Sequence, residues 1–252
     1  MIALGLLTAS AGCHAAWNLL LKKGGLGGPA FVWMCGLLTL PISVVLLGRG
    51  SAAWWAGVVS MALHTTYAVT LQRAYRGGAF STVYSVSRGT APALVAVASL
   101  GGWHVYGGAA LVLAGVLLME RPRSGNGVGL GLAVAACTAA YTLWDGFAVR
   151  SLHVDLLKYL AVANVAQVVA LSPMARRSEL RNWRRALPIA ALMPASYGLV
   201  LLALSYASVG TVAIGRTLNV VAGAVLGAVV LCERPRIGGL VVITTGVVLV
   251  SV

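Results

Sequence analysis

Ser81-Thr82-Val83-Tyr84-Ser85-Val86-Ser87-Arg88-Gly89-Thr90 and Gly210-Thr211-Val212-Ala213-Ile214-Gly215-Arg216-Thr217-Leu218-Asn219 decide the reading of this chain. Each sets one arginine in an otherwise uncharged stretch, and the two arginines stand 128 residues apart. The start of the chain echoes at nearly the same offset. His14-Ala15-Ala16-Trp17-Asn18 returns as Tyr141-Thr142-Leu143-Trp144-Asp145, with Trp17 and Trp144 127 residues apart. A sequence written twice, with a charge held at the same place in both copies, points to a duplicated membrane protein and to transport.

Composition agrees. Of 252 residues, 60% are hydrophobic and 9% charged, and the mean hydropathy is +0.92. That leaves too little polar surface to coat a water-soluble globule of this size. The expectation is an integral, multi-pass protein of the cell membrane with the lipid bilayer as its surroundings. Apolar runs lie near 2–21, 29–48, 54–75, 80–100, 105–119, 127–148, 156–174, 186–206, 209–232 and 237–252. At about 20 residues per span, ten helices use about 200 residues and leave only short connections. The predicted fold is all-α: ten transmembrane helices as two inverted five-helix repeats, 1–120 and 127–252. Inversion follows from the odd span number, which makes the second copy insert in the opposite sense and places a ligand site near the bilayer middle.

The net charge of +13 would suit nucleic acid. The basic residues, however, cluster between apolar runs, where they direct membrane insertion. No nucleic-acid partner is expected. Lys22, Lys23, Arg73, Arg76, Arg121, Arg123, Arg176, Arg177, Arg181, Arg184, Arg185, Arg234 and Arg236 fall in odd-numbered connections, and Arg49, Arg150 and Lys158 in even ones. On the positive-inside rule both termini lie outside. Cys13, Cys35, Cys137 and Cys232 show no metal or redox spacing and read as packing residues. The first segment resembles a cleavage region only loosely and reads as a retained span.

His14 through Lys23, the run Gly107-Gly108-Ala109-Ala110-Leu111-Val112-Leu113-Ala114-Gly115-Val116-Leu117-Leu118 and Cys232-Glu233-Arg234-Pro235 resemble the EamA branch of the drug/metabolite transporter superfamily. The resemblance spans the chain. It implies two five-helix repeats and export or exchange of small metabolites through a central cavity, with helices three, four, eight and nine prominent around it. It also implies cytoplasmic termini, opposite to the charge count, so the orientation stays open. The acidic residue usual between helices four and five is replaced by Gly101-Gly102-Trp103-His104.

An arginine at mid-helix costs about 2.5 to 3.5 kcal/mol on insertion scales, so Arg88 and Arg216 are expected to face a cavity or a partner. Locking helix packing is one use and binding an anion the other. Glu120, Asp155, Glu179 and Glu233 belong to loops or helix ends, which leaves Asp145 as the intramembrane carboxylate and the cavity net positive. Tyr84 and Asn219 share helix faces with the arginines. His14, Trp17 and Asn18 on one helix, and Tyr141, Trp144 and Asp145 on the other, occupy matching faces, where interfacial anchoring of the tryptophans competes with substrate contact. Tyr67 and Tyr197 pair across the copies as cavity-lining candidates. Asp145 and His64 are the candidates to carry a coupling proton, against an Asp145–arginine ion pair and a neutral hydrogen-bonded histidine. Gly223 and Gly227 in the ninth segment read as a packing motif, with a weak homodimer as the alternative to a monomer.

These features favour a secondary transporter, an exporter or exchanger of a small organic anion or zwitterionic metabolite working by alternating access. The alternatives are a multidrug exporter of lipophilic compounds, a membrane enzyme using His64 and Asp145, and an accessory subunit. Gly24-Gly25-Leu26-Gly27-Gly28 lacks the Lys-Ser/Thr ending of a phosphate-binding loop, and no GxSxG or HExxH occurs. No enzyme activity, cofactor or metal is expected.

Overall fold

The computed structural model describes residues 1–50, 53–119, 127–175, 177–232 and 236–251, without the side chains of 80, 81, 177, 179 and 231. Glu120, Arg121, Arg123, Arg176, Glu233, Arg234, Pro235 and the side chains of Arg177 and Glu179 therefore lie outside the described residues, as do the repeat boundaries at 120 and 252. Among the described residues the chain is all helix: α1 (Ile2–Gly24), α2 (Pro29–Leu47), α3 (Trp55–Gly77), α4 (Phe80–Ala98), α5 (Trp103–Met119), α6 (Gly127–Arg150), α7 (Leu156–Leu171), α8 (Trp183–Leu204), α9 (Val209–Gly215), α10 (Leu218–Leu231) and α11 (Ile237–Leu249), with short 3₁₀ turns before α8.

Six segments are long and apolar enough to cross a membrane: α1, α2, α6, Leu156–Met174, Leu180–Leu204 and Val209–Val230. The chain is thus an all-α membrane protein. Helices α5 and α11 are apolar but shorter. Helices α3 and α4 are long enough but diluted by polar side chains such as His64, Thr65, Ser87 and Arg88.

Local chemistry marks the helix ends. Helix α1 stops at Gly25, whose left-handed conformation (φ 59°) lets its N–H return to the carbonyls of Leu21 and Lys22. Pro29 then opens α2, where its missing N–H costs nothing. Asp155 caps α7 by accepting from the Lys158 N–H at 2.9 Å.

The ninth apolar segment, expected as one helix over 209–232, is two. Helix α9 ends at Gly215 and α10 begins at Leu218, leaving Arg216 and Thr217 at the break. Three-residue hydrogen bonds bridge it: Thr217 N–H to Ile214, Asn219 N–H to Arg216 and Val220 N–H to Thr217, at 3.0, 3.1 and 2.9 Å. In the first half α4 is continuous, but Pro92 has no N–H to donate to the carbonyl of Arg88 four residues earlier.

Helix α1 packs on α8 and α10, α2 on α7 and α8, α3 on α6 and α7, α4 on α5 and α6, and α5 on α11. The α1–α8 seam carries a reciprocal pair: Ser10 Oγ donates to the Ser196 carbonyl at 2.8 Å and Ser196 Oγ to the Ser10 carbonyl at 3.1 Å. The α5–α11 seam is made by glycine. A Cβ on Gly108 would lie 2.8 Å from the Gly246 carbonyl, and one on Gly115 2.8 Å from that of Gly239. Gly223, read in the sequence as a packing residue, has nothing within 4 Å of a Cβ. Gly227, the other member of that pair, is buried.

The connections gather at two ends. At one, Arg236 donates to the Met119 carbonyl, Gly78 abuts Gly127, and Gly27 and Gly28 lie beside Pro173–Ala175. At the other, Arg49 forms an ion pair with Asp155 at 2.8 Å, and Arg150 donates to the carbonyls of Leu204 and Ala207 at 3.3 and 2.8 Å. This second end also holds the cluster of Leu7, Ala56, Tyr159, Leu201 and Leu204 that closes the bundle there.

Candidate functional site

The helices enclose a cavity of about 660 Å³. Its walls come from α1, α4, α5, α6, α9 and α10. Expectation placed helices three and eight there as well. Among the described residues neither contributes to its lining; α3 packs on α6 and α8 on α1.

Arg88 and Arg216 both line this cavity, the one from α4 and the other from the α9–α10 break. Tyr84, Asn219 and Asn18 line it with them. Asn18 is oriented by its own helix, its amide donating to the His14 carbonyl at 2.7 Å. The break explains how Arg216 is presented: a residue outside regular helix can turn its side chain inward without forcing a whole turn of α10 to follow. Arg216 Nη1 donates to Thr142 Oγ1 and Nη2 to the Tyr141 hydroxyl, both at 3.3 Å, and its guanidinium carbon lies 5.3 Å from the centre of the Tyr141 ring. Arg88 lies 5.9 Å from the ring centre of Tyr84 and makes no hydrogen bond among the described residues. Val95 and Ala213 form the deep apolar part, and Met119 with the exposed Arg236 stands at the rim.

Four of the sequence candidates for substrate contact are elsewhere. Trp17 packs with Phe31 and Met34 and meets His14 edge-on at 4.8 Å. Trp144 donates its indole N–H to the Ala56 carbonyl at 3.1 Å and contacts Trp55. Tyr67 meets the Tyr141 ring edge-on at 5.4 Å, and Tyr197 turns its hydroxyl to Asp145. None of the four is among the residues lining the cavity, although Tyr67 interacts electrostatically with Arg88 and Tyr197 with Arg216.

Asp145 forms no ion pair with either arginine. Its Oδ1 accepts from Ser60 Oγ at 2.8 Å and from the Tyr159 hydroxyl at 2.7 Å, and its Oδ2 accepts from Tyr197. The carboxylate is 2% exposed and joins α6 to α3, α7 and α8. His64 sits between this cage and the cavity. Its Nδ1 bonds the Ser60 carbonyl at 2.9 Å, so that nitrogen carries a proton, and its ring stacks on Tyr141 at 4.2 Å.

Tyr141, Thr142, Thr138, Ser87, Thr217, His14 and Arg236 also line the cavity and were not singled out as site residues. For His14 and Tyr141 the signal was present: they are equivalent positions in the two copies of the opening motif.

A solved crystal structure of a protein at 15% sequence identity superposes on 99% of this chain and 96% of its own with a TM-score of 0.74. At that identity the likeness is one of fold. No protein-family model matches the chain, and no curated protein matches it in sequence.

Proposed function

We propose that this chain is a secondary transporter of a small organic anion or zwitterion, working by alternating access in the cell membrane, similar to the EamA branch. The observation that carries the reading is the meeting of Arg88 and Arg216 in one cavity, with the nearby carboxylate of Asp145 committed to three hydroxyls instead. Transport is favoured over catalysis because His64 and Asp145, the candidate acid–base pair, do not line the cavity, and His14, which does, has no described carboxylate in the cavity wall beside it.

The ten spans and inverted repeats, 1–120 and 127–252, belong to the same proposal. Exchange α1 with α6, α2 with α7, α3 with α8, α4 with α9–α10 and α5 with α11. The α1–α8 packing then maps onto α3–α6, α3–α7 onto α2–α8 and α4–α6 onto α1–α10, while α2–α7 and α5–α11 map onto themselves. The glycine spacing supports the same exchange, since Gly108 and Gly115 recur as Gly239 and Gly246. The cavity rim at Arg236 shares its end with Lys22, Lys23 and Arg76, so positive-inside makes the mouth cytoplasmic and the captured state loaded from the cytoplasm. Proton coupling, on this reading, is assigned to Asp145 and His64, which both bond Ser60 at the junction of α3, α6, α7 and α8.

Uptake of organic anions into proteoliposomes tests the proposal. Arg88→Gln and Arg216→Gln are each expected to weaken substrate binding by about 1.5 to 3 kcal/mol, the worth of a hydrogen bond to a charged group. Lysine is expected to rescue only in part, since it lacks the planar fork that matches an oxyanion. Normal transport by both Gln variants would refute the anion site.

A further inference from the structure

From the charge balance of the cavity we infer that its ligand is a small organic dianion, one negative charge for each of Arg88 and Arg216. The inference rests on the anion-site reading above and narrows it. It excludes zwitterions such as amino acids as the preferred cargo.

The argument begins with what each guanidinium lacks. An arginine offers five N–H donors. Arg216 uses two of them on neutral hydroxyls, Thr142 and Tyr141, at the long distance of 3.3 Å. Arg88 makes no hydrogen bond among the described residues; it lies over the face of Tyr84 and interacts electrostatically with the neutral-phenol side chains of Tyr67, Tyr141 and Tyr75. Neither forms an ion pair with a described carboxylate; Asp155 pairs with Arg49 at the closed end. Asp145 is near, yet both of its oxygens already accept hydroxyl protons from Ser60, Tyr159 and Tyr197. Two cations therefore face one cavity with donors to spare and no counter-charge bonded to either.

A monoanion would satisfy one guanidinium and leave the other buried and unmatched, the costly arrangement for a charge away from water. Two negative charges match both. An ammonium group fares worst, since it would sit beside two guanidiniums with no described carboxylate lining the cavity to receive it. The volume of about 660 Å³ is in the range of small-molecule sites, and Ala91, Val95, Ala213 and Val220 supply apolar walls for a short carbon frame. The two charges can reside on two carboxylates or on one phosphoryl group. The chemistry common to both is the doubly charged oxyanion.

The test uses the full-length protein in detergent and reads binding by calorimetry at constant ionic strength. Succinate, its monomethyl ester and 4-aminobutyrate share one chain length and differ in charge. Glycerol 3-phosphate supplies the phosphoryl arm, and sulfate against perchlorate compares charge on one tetrahedral shape. At least one dianion is expected to bind about tenfold or more tighter than its singly charged partner, with 4-aminobutyrate weakest. That preference is expected to fall toward unity in Arg88→Gln and Arg216→Gln, and to persist at lower affinity in the Lys variants. Succinate alone binding assigns two carboxylates, and glycerol 3-phosphate alone assigns a phosphoryl group. If single and double charges bind equally and both Gln variants weaken them alike, the anion site stands and the dianion inference is overturned. If no probe at millimolar concentration shows binding that depends on either arginine, both fall. Should a Gln variant fail to fold, the charge preference of the unaltered protein and of the Lys variants decides.

Discussion

Tyr141 and Arg216 hold each other at the cavity wall: the arginine donates to the tyrosine hydroxyl at 3.3 Å while its guanidinium carbon lies 5.3 Å from that ring's centre. The same ring stacks on His64 at 4.2 Å, so it stands between the cavity and the Asp145 cage. Tyr141→Phe keeps both ring contacts and removes the hydroxyl. The variant is expected to fold normally and to lose about 0.5 to 1.5 kcal/mol of substrate binding, because Arg216 is less firmly aimed. A binding titration with an unchanged Kd would show that the hydroxyl does not position Arg216.

Asp145 ties four helices through three hydroxyls. Asparagine keeps the shape but replaces one acceptor oxygen with an N–H₂ that has no acceptor among Ser60, Tyr159 and Tyr197 other than their own oxygens. Asp145→Asn is therefore expected to lower the stability of the purified protein by about 2 kcal/mol, the range for losing a hydrogen bond to a charged group. A melting temperature equal to that of the unaltered protein would contradict the cage.

The α5–α11 seam predicts a contrast between two glycines. A side chain at Gly115 would meet the Gly239 carbonyl at 2.8 Å and the Ile243 N at 2.9 Å, both backbone atoms that cannot swing away. Gly115→Val is expected to destabilise by about 3 kcal/mol, the upper range for overpacking. Gly223→Ala meets nothing within 4 Å and should melt normally, although it intrudes on the cavity. Thermal melts of the two variants in the same detergent make the comparison, and equal losses would undo it.

At the closed end, the hydrogen-bonded Arg49 guanidinium holds the Asp155 carboxyl below its ordinary value, assisted by the Lys158 N–H and opposed by slight burial. A lowered folded-state pKa stabilises above the unfolded value, about 3.9, and the gain is lost as pH falls through the lower folded value. The stability difference between the unaltered protein and Asp155→Asn is expected to be constant above about pH 5 and to shrink below about pH 4. Because the pair is exposed, high salt should reduce it as well. A difference that stays constant through the acid range would mean the ion pair is not what tethers α2 to α7.

The helical architecture and the central pair of charges were legible because they are written in one dimension. Apolar runs between charged clusters mark helices regardless of partners, and an arginine in an uncharged stretch stands out without coordinates. The copies of the opening motif likewise marked His14 and Tyr141, two residues that line the cavity. Which face of α1 or α6 looks inward was not written there, and Trp17 and Trp144 were assigned to the cavity although they pack against α2 and α3.

By itself the sequence determined that this is an all-helical membrane protein with a repeated pattern that sets one arginine in each of two otherwise uncharged stretches, since hydrophobicity and charge act residue by residue. Only the tertiary structure decided that the cavity is lined from α1, α4, α5, α6, α9 and α10. It alone placed the close glycine approach between α5 and α11 and gave Asp145 to three tyrosine and serine hydroxyls rather than to an arginine. Each of these depends on which helices become neighbours, and in a bilayer, where apolar surface is equally content against lipid or protein, neighbours are chosen by shape and by a few hydrogen bonds. The helix break at Arg216 has the same origin: an apolar run long enough for one span is interrupted where a guanidinium meets Tyr141 and Thr142.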